Sequence, residues 1–139
     1  MTRLLHIDKS SEVCDIAKLK ALPEKGYLWL LVKKDEKFDL GKWVLDLTGK
    51  PIHPRHLNDI DQKNHPSYYD SMSNYDMLIF RTATRLEISP RRGLESVTFL
   101  LFDKLLISIY DCTEHEFDSV YNYVVDPNRT LPPDPALAL

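Results

Sequence analysis

Apolar positions in this chain alternate between short unbroken runs and helical spacings, a pattern that predicts a layered domain of strands and helices. Leu4, Leu5 and Ile7 mark a short opening strand. Ser10 or Ser11 is then placed to cap a helix with Val13, Ile16, Ala17 and Leu19 on its apolar side, stopped by Pro23 and Gly26. The run Tyr27–Val32 (YLWLLV) is too short for a core helix and unbroken by polar residues, so it predicts a strand covered on both faces. Asp39 can cap a second helix in which Leu40, Trp43, Val44 and Leu47 follow the i, i+3, i+4, i+7 spacing, and Gly49 with Pro51 ends it. Strand, helix and stop together make half of a βαβ crossover.

A polar connector follows, and Tyr75–Thr84 (YDMLIFRTAT) then resumes strand character. The charged turn Ser89–Gly93 separates it from Val97–Phe102. Only Asp103 and Lys104 lie between that run and Leu105–Tyr110, which predicts an antiparallel hairpin. Thr113 and Glu116 fit a capping box, Phe117, Val120, Tyr121 and Val124 form an apolar stripe behind it, and Asp126-Pro127 ends the helix. The fold class expected is α/β, bordering on α+β, with a mixed parallel and antiparallel sheet flanked by helices. Beyond Asn128 the prolines and the apolar ALAL ending suggest truncation just before another helix.

With 139 residues the chain has the size of one domain, 1–139, able to bury a real core. A net charge of -3 and the lack of a basic stripe exclude steering toward nucleic acid or anionic lipid. No apolar run approaches the roughly 18 residues that read as a membrane span, and the start, MTRLLHIDKSSE, does not read as a signal peptide, so a soluble chain is expected. Cys14 and Cys112 are isolated and read as reduced thiols rather than a disulfide or a zinc site. Nucleophile elbows, HExxH and phosphate-cradling loops are all missing from a sequence with four glycines. An enzyme is not expected.

Candidate chemistry concentrates in the connector within Gly49–Arg81. Pro54 suits the first position of a short helix that Leu57 and Ile60 would pin to the core. His53, His56 and Asp59 then recur every three residues on one side, with His65 reaching in from the following loop. Two histidines and a carboxylate can hold zinc or another transition metal. The H-x-x-H-x-x-D spacing matches no standard site, however, so His53, His56 and His65 read as solvated polar caps on a short helix. Asp59 reads as an exposed lone carboxylate. That is a poor site alone but a good half of a magnesium site, since Mg²⁺ keeps much of its water shell and often uses one or two carboxylates, which a subunit interface can supply from two chains.

The order of Tyr27–Leu30, the amphipathic helix ending in Thr48-Gly49, His53-Pro54, Leu57-Asn58-Asp59-Ile60, His65-Pro66, Tyr68, and Tyr75 followed by MLIFR resembles the CorA family of magnesium and cobalt transport proteins. The hairpin Val97–Asp111 and the helix after it also fall where that family has them. The resemblance implies the N-terminal cytoplasmic domain of a homopentameric divalent-cation channel, whose long helix, two membrane helices and Gly-Met-Asn signature are not in this sequence. It implies a regulatory Mg²⁺ at the subunit interface, Co²⁺ as a further transported ion, attachment to an inner or plasma membrane through C-terminal segments, and a fragment that by itself is monomeric or weakly associated. In the family the aspartate matching Asp59 faces a carboxylate on the neighbouring subunit. The glutamate used in a second cation site is replaced here by Asn58, a weaker ligand for a hard cation. The alternatives are the zinc-transporting branch of the same superfamily and a freestanding intracellular α/β module that binds a ligand or partner. Reading the gene downstream of Leu139 separates the transporter from the module.

Overall fold

A computed structural model describes residues 2–8, 10–62, 66–81, 96–128 and 135. Seven strands form one sheet in the order β2-β1-β3-β7-β6-β5-β4: β1 is Arg3–Asp8, β2 Ser10–Cys14, β3 Tyr27–Lys33, β4 Tyr68–Ser71, β5 Asp76–Arg81, β6 Ser96–Phe102 and β7 Leu105–Asp111. Among the described residues, only β3 and β7 pair in parallel, with Leu30 opposite Ile107, and the other pairings are antiparallel. The mixed sheet expected from the sequence is therefore present, and its single parallel pair lies at the centre. The helices are α1 (Leu40–Thr48), α2 (Pro54–Asp61) and α3 (Glu114–Val125).

The central strands are apolar throughout because both of their faces are covered. Every residue of β3 is buried. Leu28, Leu30 and Val32 join Leu105, Ile107 and Ile109 in a core closed by Val44 of α1 and Ile60 of α2. Tyr27, Trp29 and Leu31 point the other way, into a second core with Leu106, Tyr110 and the α3 residues Phe117 and Val124. The three layers are thus α1 and α2, the sheet, and α3. On the α3 side, cover does not extend evenly toward the β4 edge, where Tyr69 is 62% and Phe80 54% exposed.

Local signals account for most helix boundaries. Asp39 accepts from the Lys42 backbone N–H at 3.2 Å, and Gly49 ends α1 in the left-handed region with φ 73°. Thr113 and Glu116 form the expected reciprocal capping box, and Asp126 terminates α3. Gly26 is required for a different reason. It has φ +72°, and a Cβ there would fall on the Ile7 carbonyl oxygen.

The helix expected after Ser10 or Ser11 does not form. Residues Ser10–Cys14 are instead strand β2, paired antiparallel with β1, and only the single 3-10 turn Ile16–Lys18 follows, capped by Asp15. A short isolated helix is marginal, whereas β1 offers an open ladder edge two residues away, so sheet pairing wins over a weak helical period. Strand β4 was hidden inside the polar connector. The strand expected over Tyr75–Thr84 is confirmed as Asp76–Arg81, while Thr82–Thr84 and the turn Ser89–Gly93 lie outside the described residues.

Candidate functional site

Helix α2 begins as the sequence predicts, with Pro54 in the first turn and His53 as its N-cap. His53 Nδ1 accepts from the Arg55 N–H at 3.1 Å, so the polar-cap reading holds for this histidine, which remains exposed. For His56 that reading is overturned. Its side chain is only 2% exposed and lies on the inward side of α2 with Asp59 and Ile60. Helical periodicity explains the difference: once Ile60 is drawn into the core, the residue one turn earlier must follow it inward.

His56 enters the core with both ring nitrogens engaged. Nε2 lies 2.8 Å from Asp70 Oδ2 on β4, and Nδ1 lies 2.5 Å from Tyr75 Oη just before β5. Tyr75 Oη also accepts the His53 backbone N–H at 3.0 Å, and Tyr68 donates to Asp70 Oδ2 at 3.2 Å. A carboxylate can only accept, so the hydrogen-bond network assigns the ring proton to Nε2 and leaves Nδ1 to accept the Tyr75 hydroxyl. Every donor in this circuit then has an acceptor, which is the condition for burying polar groups without large cost.

The electrostatics follow from the same contacts. The His56 hydrogen bond, aided by Tyr68, holds the Asp70 carboxyl below the usual carboxylate range against the opposing effect of burial. Burial is the first cause raising Tyr68, followed by its bond to Asp70 and that carboxylate's charge, and Asp59 adds to the same upward push. Burial likewise raises Tyr75. The acidic side chains Asp59 and Asp70 therefore both act on the Tyr68 phenol.

Asp59 sits on the last turns of α2 and is 8% exposed, at the margin of the core rather than out in solvent as expected for a lone surface carboxylate. Among the described residues, no group of three His, Cys, Asp or Glu side chains is arranged to hold a metal ion. Asp59 carries a hard oxygen donor of the kind Mg²⁺ takes. His53 and His56 are side by side, with ring centroids 5.7 Å apart, yet the hydrogen bonds above occupy both His56 nitrogens. His65 lies outside the described residues.

Asp70 was missed by sequence reasoning, which held Tyr68 only as a mark of family resemblance and Tyr75 as such a mark and as the start of an expected strand. The available signal was the period-2 alternation of Tyr68–Ser71, which puts Tyr68 and Asp70 on one side of a strand.

No protein-family model and no curated protein sequence matches the chain. Solved structures do. The soluble domain of CorA from Methanocaldococcus jannaschii aligns over 94% of this chain and 49% of its own, with a TM-score of 0.61 and 9% identity. The chain has the CorA soluble-domain fold. The ZntB cytoplasmic domain from Vibrio parahaemolyticus RIMD 2210633 shares this CorA-type fold, with a TM-score of 0.64 and 11% identity over 97% of this chain and 52% of that one. Full-length CmaX aligns over 91% of this chain and 38% of its own, with a TM-score of 0.61 and 11% identity. The chain therefore spans about half or less of the lengths of the structures it matches. Among the described residues, no helix is long and apolar enough to cross a membrane.

Proposed function

We propose that this chain is the cytoplasmic regulatory domain of a CorA-like divalent-cation transporter, with Asp59 as its half of a Mg²⁺ site between subunits. The observation that carries the proposal is the CorA-type fold across 94% of the chain. One matching structure is described as a complete CorA magnesium transporter, of which this chain aligns with 40% at a TM-score of 0.56. In this reading the assembly is a homopentamer anchored through membrane segments beyond the chain, and Co²⁺ is carried as well as Mg²⁺. A cation shared by Asp59 and a carboxylate of the neighbouring subunit offsets their repulsion in the closed state. Its loss at low Mg²⁺ shifts the population toward open states by the difference in affinity between the two.

The test is cation flux through the full-length polypeptide reconstituted in vesicles. Asp59→Ala or Asp59→Lys should blunt closure by Mg²⁺ while leaving ion selectivity as it was; undiminished Mg²⁺ inhibition would refute the assignment. The ZntB domain fits the fold as well as the CorA domain does, which keeps the zinc-transporting branch as a second reading. Competition between Zn²⁺, Co²⁺ and Mg²⁺ in the same flux assay decides between them.

A further inference from the structure

We infer that His56 is a positioning residue that fixes α2, and with it Asp59, to the sheet, and so sets how strongly the domain responds to a divalent cation. The inference rests on the reading of Asp59 as a cation ligand. It arises from the way α2 is held. This helix has only eight residues, and its apolar anchors are Ile60 and the partly buried Leu57. A helix so short has little stability of its own and takes its position from what it is attached to.

Polar bonds provide that attachment at three points in the first turns of the helix. His56 Nε2 donates to Asp70 at 2.8 Å, His56 Nδ1 accepts from Tyr75, and the His53 N–H donates to the same Tyr75 oxygen at 3.0 Å. The partners come from β4 and from the segment entering β5, so sliding or rotating α2 would break bonds to two parts of the sheet at once. Tyr68 donates to the same Asp70 oxygen at 3.2 Å. His56 and Asp59 are three residues apart on the inward side of a helix, so a displacement of the imidazole moves the carboxylate with it.

The chemistry is specific to histidine. Only an imidazole presents a donor and an acceptor on opposite sides of one rigid ring, which this site uses to span Asp70 and Tyr75. A cation bound by a single carboxylate of the chain depends on the direction in which that carboxylate points, because ligands beyond the metal's own contacts commonly tune affinity by orienting the ones that touch it.

The experiment uses vesicles containing the full-length polypeptide, with flux measured against Mg²⁺ for wild type and for Asp59→Ala, Tyr75→Phe, Asp70→Asn and Asp70→Leu. Asp59→Ala should blunt Mg²⁺ inhibition more than any of the other variants. Tyr75→Phe and Asp70→Leu should raise the half-inhibitory Mg²⁺ concentration about tenfold with selectivity and Mg²⁺-free flux unchanged, whereas Asp70→Asn, which keeps an acceptor for Nε2–H, should stay within about twofold of wild type. Nitrogen NMR of the 139-residue chain should show a hydrogen-bonded Nε2–H of His56 in wild type and Asp70→Asn, and loss of that hydrogen bond in Asp70→Leu. The inference is overturned if Tyr75→Phe and Asp70→Leu lower the unfolding midpoint but leave the Mg²⁺ dependence at the wild-type value, the pattern of a purely structural network. A different result, wild-type inhibition in Asp59→Ala, removes the Asp59 reading itself and leaves His56 with no ligand to position.

Discussion

Replacing Ser108 with alanine should destabilise the domain far more than the loss of one small hydroxyl group suggests. Ser108 is fully buried in β7, and its Oγ accepts the Trp29 indole N–H from β3 at 2.8 Å. Two residues along the same strand, burial pushes the Tyr110 phenol up to about 12. Trp29 and Tyr110 are only 6% and 5% exposed, and α3 closes over both, so water cannot replace the missing partner without opening the core. An orphaned buried donor costs about 1–3 kcal/mol. The expected loss is therefore about 1–3 kcal/mol, a sizeable part of the roughly 5–15 kcal/mol that holds a domain together. Urea denaturation followed by far-ultraviolet circular dichroism measures it, with Trp29→Phe as the second arm of a double-mutant cycle. Once the indole N–H is gone, Ser108→Ala should cost much less, giving a coupling of about 1–3 kcal/mol. A loss below about 0.5 kcal/mol, or a cycle additive within about 0.5 kcal/mol, would show that the hydroxyl is not the indole's partner.

Two further outcomes are expected from the fold. Gly26→Ala should be strongly destabilising because its Cβ meets the Ile7 carbonyl, whereas Gly49→Ala, at a similar φ of 73° but in open space, should cost only about 1 kcal/mol; equal melting temperatures for the two variants would refute the steric argument. Cys112 is pushed up from 9.0 to about 11, chiefly by burial and then by the charge of Glu116, so its thiolate at pH 8 should be about a hundredfold scarcer than that of a free cysteine and its alkylation correspondingly slow. Because the unfolded thiol ionises first, stability linked to this group is complete below about pH 9 and is lost as pH rises to about 11, with Tyr110 extending the decline toward about pH 12. A flat stability profile from pH 8 to 11 would contradict this.

The sequence by itself determined the elements whose burial is expressed locally. An unbroken run such as Tyr27–Val32 has no polar side to turn to water, so it becomes a strand covered on both faces, and the Asp39 cap of α1, the capping box of α3 and the stop signals of both are written in adjacent residues. It also determined that α2 begins at Pro54 and carries His53, His56 and Asp59 in order. Only the tertiary structure decided what needs a distant partner. Ser10–Cys14 became a strand because β1 was there to pair with it, and Tyr68–Ser71 became one because β5 was. The inward turn of His56 is of the same kind. Its side chain is tolerable in the core only because Asp70 and Tyr75, 14 and 19 residues further along the chain, bring an acceptor and a donor to its two nitrogens, and no local pattern records that meeting.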